Sequence, residues 1–97
     1  MTTHELKSWP EYFEPILNGA KTFELRKNDR DYQVFDLLHL REYEPATAVN
    51  KEGHYTGRYC YRRVTYVLDG VGPGAVEPAK GLLRGYVIMS LVYSDSV

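Results

Sequence analysis

Gly19-Ala20-Lys21-Thr22-Phe23-Glu24-Leu25-Arg26 places a lysine, a glutamate and an arginine close together just after a glycine turn. In an extended chain alternate side chains share a face, so Glu24 and Arg26 stand about 6–7 Å apart at their Cα atoms. Such a group can bind a small polar ligand. Arg26 can hold a phosphate or carboxylate bidentately. Glu24 can accept from an exocyclic amine or act as a base, and Lys21 can serve as a point charge or, if desolvated, as an acid/base group. Phe23 and Leu25 belong on the other face and are expected in the core. The competing reading is an exposed strand face with a surface ion pair worth under about 1 kcal/mol.

Aromatic residues surround this stretch. The chain has nine Tyr, three Phe and one Trp. Trp9, Tyr12 or Tyr43 can stack on a flat ligand, and His4 and Lys7, near the helix start, can flank it, although each also reads as ordinary surface. Further along, Arg58, Arg62 and Arg63 interleave with Tyr59, Tyr61 and Tyr66. Arg62 and Arg63 are adjacent, so on a strand they face opposite ways and cannot line one groove. His4, His39 and His54 have no metal-ligand spacing and Cys60 is alone, so no metal site is expected. Cys60 reads as a small buried strand residue. The glycines around Gly70–Gly74 lack the following Lys-Ser/Thr of a phosphate cradle. Nothing in the sequence calls for a cofactor.

The elements that must position these groups follow from periodicity. His4 to Trp9 reads as a short edge strand. Trp9, Tyr12, Phe13, Ile16 and Leu17 recur at helical spacing and predict one apolar helical face. Ser8 is the expected N-cap, Pro10 lies in the first turn, and Gly19 is the expected left-handed stop. Pro15 predicts a short or kinked helix. Thr22 to Asn28, Leu37 to Tyr43, Arg58 to Leu68 and Tyr86 to Tyr93 read as strands, the last so apolar that it is expected to be central. Leu38 and Leu40 are expected inward. The segments 44–57 and 69–81, rich in Gly and Pro, read as long loops. Five strands and one helix predict an α+β fold, a small curled sheet or barrel with the helix plugging one end.

Composition bounds the rest. Ninety-seven residues make a single domain, 1–97, with a thin core. One cysteine excludes an internal disulfide. No apolar run approaches the ~20 residues that span a bilayer, and the start of the chain does not read as a signal peptide, so a cytoplasmic protein without a membrane partner is expected. The formal net charge of -1 excludes a uniformly basic polyanion binder, so any nucleic-acid contact must come from a local patch.

Gly19-x-Lys21-x-x-Glu24-x-Arg26 resembles the G-x-K-x-x-E-x-R signature of the ASCH domain family, whose members have a PUA-like β-barrel fold. His4-Glu5-Leu6-Lys7, Trp9-Pro10, Tyr12-Phe13, Lys21 to Arg30, Leu40-Arg41-Glu42-Tyr43 and Gly85-Tyr86-Val87-Ile88 extend the likeness over nearly the whole chain. They resemble a short bacterial and phage branch labelled domain-of-unknown-function family 3850. The resemblance implies a PUA-like barrel with Lys21, Glu24 and Arg26 facing a cleft, and a partner that is RNA or a modified nucleotide. Some family members resemble hydrolases instead. One branch removes the acetyl group of N4-acetylcytidine with the signature lysine, a threonine three residues later and a downstream glutamate. Here Lys21 matches, but Glu24 stands where that threonine would be. Another branch is ribonuclease-like. On an enzymatic reading Lys21 and Glu24 are the catalytic pair, and a phage protein engaging a host protein is a third possibility. Phe35-Asp36 stands where relatives usually carry Gly-Asp in a turn.

Overall fold

The computed structural model describes residues 1–70 and 82–95. In chain order these form β1 (Thr3–Ser8), α1 (Pro10–Leu17), β2 (Phe23–Lys27), β3 (Leu37–Glu44), β4 (His54–Asp69) and β5 (Tyr86–Ser94). The five strands make one sheet in the order β1-β3-β4-β5-β2. Only β1 and β3 run parallel, a pairing that requires the crossover supplied by α1 and β2. β4 is long enough to pair with β3 through its first part and with β5 through its second. Register shifts between Arg41 and Tyr43 and between Val64 and Tyr66 put extra residues into β4, and such bulges increase bend and twist. The result is a small α+β domain built on a curled sheet. Among the described residues no ladder joins the two edge strands, β1 and β2, so the curl stops short of closing.

The core fills the concave side. Leu6, Leu38, Leu40, Val64, Val87 and Met89 are buried there, with Cys60 beside them as expected. Burial pushes the Cys60 thiol pKa up. From α1 only Phe13 and Ile16 are buried, and each such side chain contributes roughly 1.5–3 kcal/mol. Trp9, not Ser8, is the N-cap, with extended backbone and no side-chain cap bond, and Pro10 opens the helix. Ser8 stays in β1 and points inward with His4 and Leu6. Gly19, at φ +86°, follows the Asn18 C-cap, which is the backbone region a helix stop needs and glycine adopts without strain. The Arg62 guanidinium donates to the Ile16 carbonyl and so supplies the cation that the last helical turn lacks.

Several expectations need correction. Phe23 and Leu25 are not core residues: they are 45% and 53% exposed, while Glu24 is 3% exposed. The register explains it, since Glu24 and Arg26 pair with Met89 and Val87, the inward residues of β5. Trp9, Tyr12 and Leu17 remain substantially exposed, so the apolar helical face is split between core and solvent. β5 is interior, between β4 and β2, but only its Val87, Met89 and Leu91 side is buried. The hairpin loop after β3 is shorter than 44–57, because His54 and Tyr55 pair with Glu44 and Tyr43 and Gly57, at φ +97°, sits in the bulged strand. Phe35 adopts φ +76° with its ring exposed, so the turn keeps a conformation that favours glycine despite the larger residue. Most of the loop expected at 69–81 lies outside the described residues. Among the described residues no helix is long and apolar enough to cross a membrane.

Candidate functional site

The sheet fails to close between β1 and β2, and a cleft of about 620 Å³ lies there. Ligand pockets commonly measure about 300–1,000 Å³. Lys7 and Ser8 line it from the end of β1, Trp9 and Tyr12 from the start of α1, and Lys21 with Phe23–Arg26 from β2. Among the described residues one side-chain bond spans the gap: Arg26 Nη2 donates to the Lys7 carbonyl at 2.8 Å.

Three charged groups converge on this hollow. Arg26 Nε donates to Glu24 Oε2 at 2.8 Å, and Lys21 Nζ approaches Glu24 Oε1 at 3.4 Å. The carboxylate is buried, whereas the two cations keep about a fifth to a quarter of their side-chain surface in solvent, 19% for Lys21 and 26% for Arg26. The Lys21 ammonium also sits over two rings, 5.3 Å from the Tyr12 centroid and 5.2 Å from that of Phe23. Trp9 stacks on Tyr12 at 6.4 Å with the planes 25° apart. Aromatic walls thus rise around an ionic floor, and Lys7, Lys21 and Arg26 outnumber the one carboxylate. The arrangement can take a flat group between the rings and an anionic or carbonyl oxygen at Arg26.

Ser8 adds a group that the sequence reading missed. Its Oγ is buried and, among the described residues, has no hydrogen-bond partner. An unpaired buried hydroxyl costs about 1–3 kcal/mol. Ser8 lies in the cleft wall with its Oγ shut off from solvent, so a ligand becomes its partner only where binding shifts that wall. The alternation of β1 was the available signal, since it puts Ser8 on the inward side with Leu6.

Two other expected residues lie elsewhere. His4 is buried and does not flank the cleft: its Nε2 is 2.8 Å from Asp36 Oδ2, and its ring meets Tyr32 edge-on. β1–β3 pairing brings that strand start against the Asp36 turn, which sequence spacing does not show. Burial pushes the Asp36 carboxyl up, but hydrogen bonds from His4 and from the Gln33 and Thr2 N–H groups together outweigh it and hold the pKa below the usual range. Tyr43 is not a cleft wall either; it lies next door, with the Lys7 ammonium 4.4 Å from its ring centre.

The arginines of β4 have structural partners. Arg58 binds Glu42 through both Nε and Nη2 and reaches Glu14 on α1 at 2.7 Å. Thr56 donates to the same Glu42 carboxylate at 2.7 Å. Thr56 and Arg58 flank Gly57, at φ +97°, and both reach this carboxylate. Arg58 in particular, with Thr56, holds the Glu42 pKa low against the effect of burial. Arg63 donates to the Phe35 carbonyl, away from Arg62.

Fold and site together define a small α+β domain whose curled sheet is left open at a charged, ring-walled seam. The chain belongs to the family described as a domain of unknown function (DUF3850), whose match covers residues 3–91. It is also similar to an uncharacterized 12.9 kDa protein in the GpA 3' region of Escherichia phage P2, 39% identical over 66 residues. That match takes in 68% of this chain, and the chain spans only 54% of the relative's length.

Proposed function

We propose that this domain is a PUA-like module of the ASCH type that binds RNA or a modified nucleotide in the seam cleft, in the cytoplasm. The observation that carries the reading is the inverted face of β2. Glu24 and Arg26 occupy inward positions that the fold would normally fill with apolar side chains, and Phe23 and Leu25 face out. Burying a paired charge still costs several kcal/mol of desolvation, and apolar replacements are often at least as stable. Local rules broken in this way mark functional sites more often than structural ones. The ring walls suit a base, the excess of cations suits phosphate or carbonyl oxygens, and Glu24 with Ser8 suits a polar base edge.

Both Glu24 oxygens are engaged by cations, yet each keeps a second lone pair, so a donor on a bound base can still be accepted. The Lys21–Glu24 pair is also the pair a hydrolase would use. The test is a titration with short single-stranded RNA and with nucleoside monophosphates at low and moderate salt. Wild type should bind, with affinity falling as salt rises, and Arg26→Ala should bind about tenfold or more weakly. Equal binding by Arg26→Ala would end the reading. Release of acetate from N4-acetylcytidine, or cleavage of the RNA, abolished by Lys21→Ala would establish the hydrolase instead.

A further inference from the structure

The convex side of β1, β3 and β4 has a composition unlike the rest of the surface. Register aligns Glu5 with His39 and Tyr61 in one row, and Lys7 with Arg41 and Tyr59 in the next. Tyr43 and Tyr55 pair beyond the bulge. Every side chain in these rows is a ring or a charge, and none is aliphatic. Exposed aliphatic residues on strands lie outside these rows: Val92 on β5 pairs with Arg63, one row from Tyr61, and Leu25 lies on β2.

The rings are in contact and carry cations. His39 stacks on Tyr61 at 4.5 Å and meets Tyr59 edge-on at 5.4 Å. The Arg41 guanidinium lies 3.7 Å from the Tyr55 centroid, and Tyr55 meets Tyr43 at 5.0 Å. Lys7 connects this face to the cleft, since it lines the cleft and covers Tyr43. Tyr59 is 57% exposed and Tyr55 39%; Arg41 takes one face of Tyr55, so Tyr59 offers the most open ring to a partner.

We infer that this face is a stacking platform for single-stranded RNA, along which a strand runs from the cleft past Lys7 onto Tyr43, Tyr55 and Tyr59. Lys7 argues for it: it sits among the rings beside Arg41, whose guanidinium is shared with Glu5 Oε1 at 3.3 Å, and a polyanion with exposed base faces needs a cation there. From Tyr43 to His39 the platform extends about 13 Å along β3. The inference rests on the proposed nucleotide reading of the cleft, but it adds a separate site and a polymeric ligand.

The experiment is fluorescence anisotropy with uridine oligonucleotides of one, three and nine residues, against wild type, Tyr59→Ala, Arg41→Ala and Arg26→Ala, with the melting temperature of each variant recorded. The nine-mer should bind wild type at least tenfold more tightly than the mononucleotide. Tyr59→Ala should lose about tenfold on the nine-mer at unchanged melting temperature and nothing on the mononucleotide. Unchanged nine-mer binding by both Tyr59→Ala and Arg41→Ala would overturn the platform while leaving the cleft standing. Nine-mer binding that depends on Tyr59 but not on Arg26 would keep the platform and remove the cleft. Equal affinity for a deoxyribose nine-mer would overturn the RNA assignment. A wild-type dimer dispersed by Tyr59→Ala would give the face to a second copy of the chain.

Discussion

Glu24 and Glu42 are two buried carboxylates, each facing an arginine, in different parts of one small sheet. Around Glu42 every partner is present and close: Arg58 through two nitrogens, and Thr56. The same arginine reaches Glu14, so the cluster fastens α1 to the β4 bulge. Around Glu24 the arrangement is looser. Arg26 makes one short bond, Lys21 stands off at 3.4 Å, and the Ser8 hydroxyl in the same cleft has no partner. Glu42 is a saturated clip. Glu24 is a charged group held at the mouth of an opening, with donors left over for something else. Similar chemistry closes a clip in one place and lines a cleft in the other, and the difference lies in whether the hydrogen-bond capacity is used up.

The largest effect expected from breaking the comparison is on binding. The triple variant Lys21→Met, Glu24→Leu, Arg26→Met should lose RNA affinity by a hundredfold or more, about 2.7 kcal/mol. Its stability should hold or rise by about 1–4 kcal/mol, because apolar side chains replace a buried ionic group. Glu42→Gln should do the reverse. It should leave RNA affinity intact and lower the melting temperature by roughly 5 °C. Thermal melts and one titration on each variant check both. A triple variant that melts well below wild type would make the cleft group another clip.

Acid sharpens the contrast more gently. Asp36 and Glu42 both have carboxyl pKa values below their ordinary range. Groups shifted in that direction give up protons more readily when folded, so they add stability above their unfolded pKa. That stability is complete above about pH 5 and is lost as the pH falls through the depressed folded values. Asp36→Asn with Glu42→Gln should therefore melt below wild type at pH 7, and the gap should narrow steadily below about pH 4. A gap that stays constant down to pH 2 would mean that neither carboxylate contributes through its charge.

Much of this molecule could be read along the chain because it is local. The helix with its glycine stop, the strand succession and the Gly19–Arg26 segment all rest on short-range pattern. Period-two alternation in Phe23-Glu24-Leu25-Arg26 separates two faces but does not say which one is inside. Apolar preference then gave the wrong face, because the pairing with Met89 and Val87 overrides it. Other features depend on contacts distant in sequence. The His4–Asp36 bond spans 32 positions, and the ring platform needs both the β1–β3 register and the β4 bulge. No spacing rule finds those.

The smallest expected effect separates two hydroxyls. Thr56 Oγ1 donates to Glu42 at 2.7 Å, while Ser8 Oγ is buried without a partner. Thr56→Val removes a used hydrogen bond and should cost about 0.5–1.5 kcal/mol. Ser8→Ala removes an unused polar atom from a buried site, so the free protein should gain up to about 1 kcal/mol. RNA affinity should move the other way, falling severalfold for Ser8→Ala and not at all for Thr56→Val. The sign of each change matters more than its size. A hydroxyl whose removal stabilises the empty protein and weakens the complex is one that the ligand completes, whereas destabilisation by Ser8→Ala would show that the hydroxyl already serves the fold.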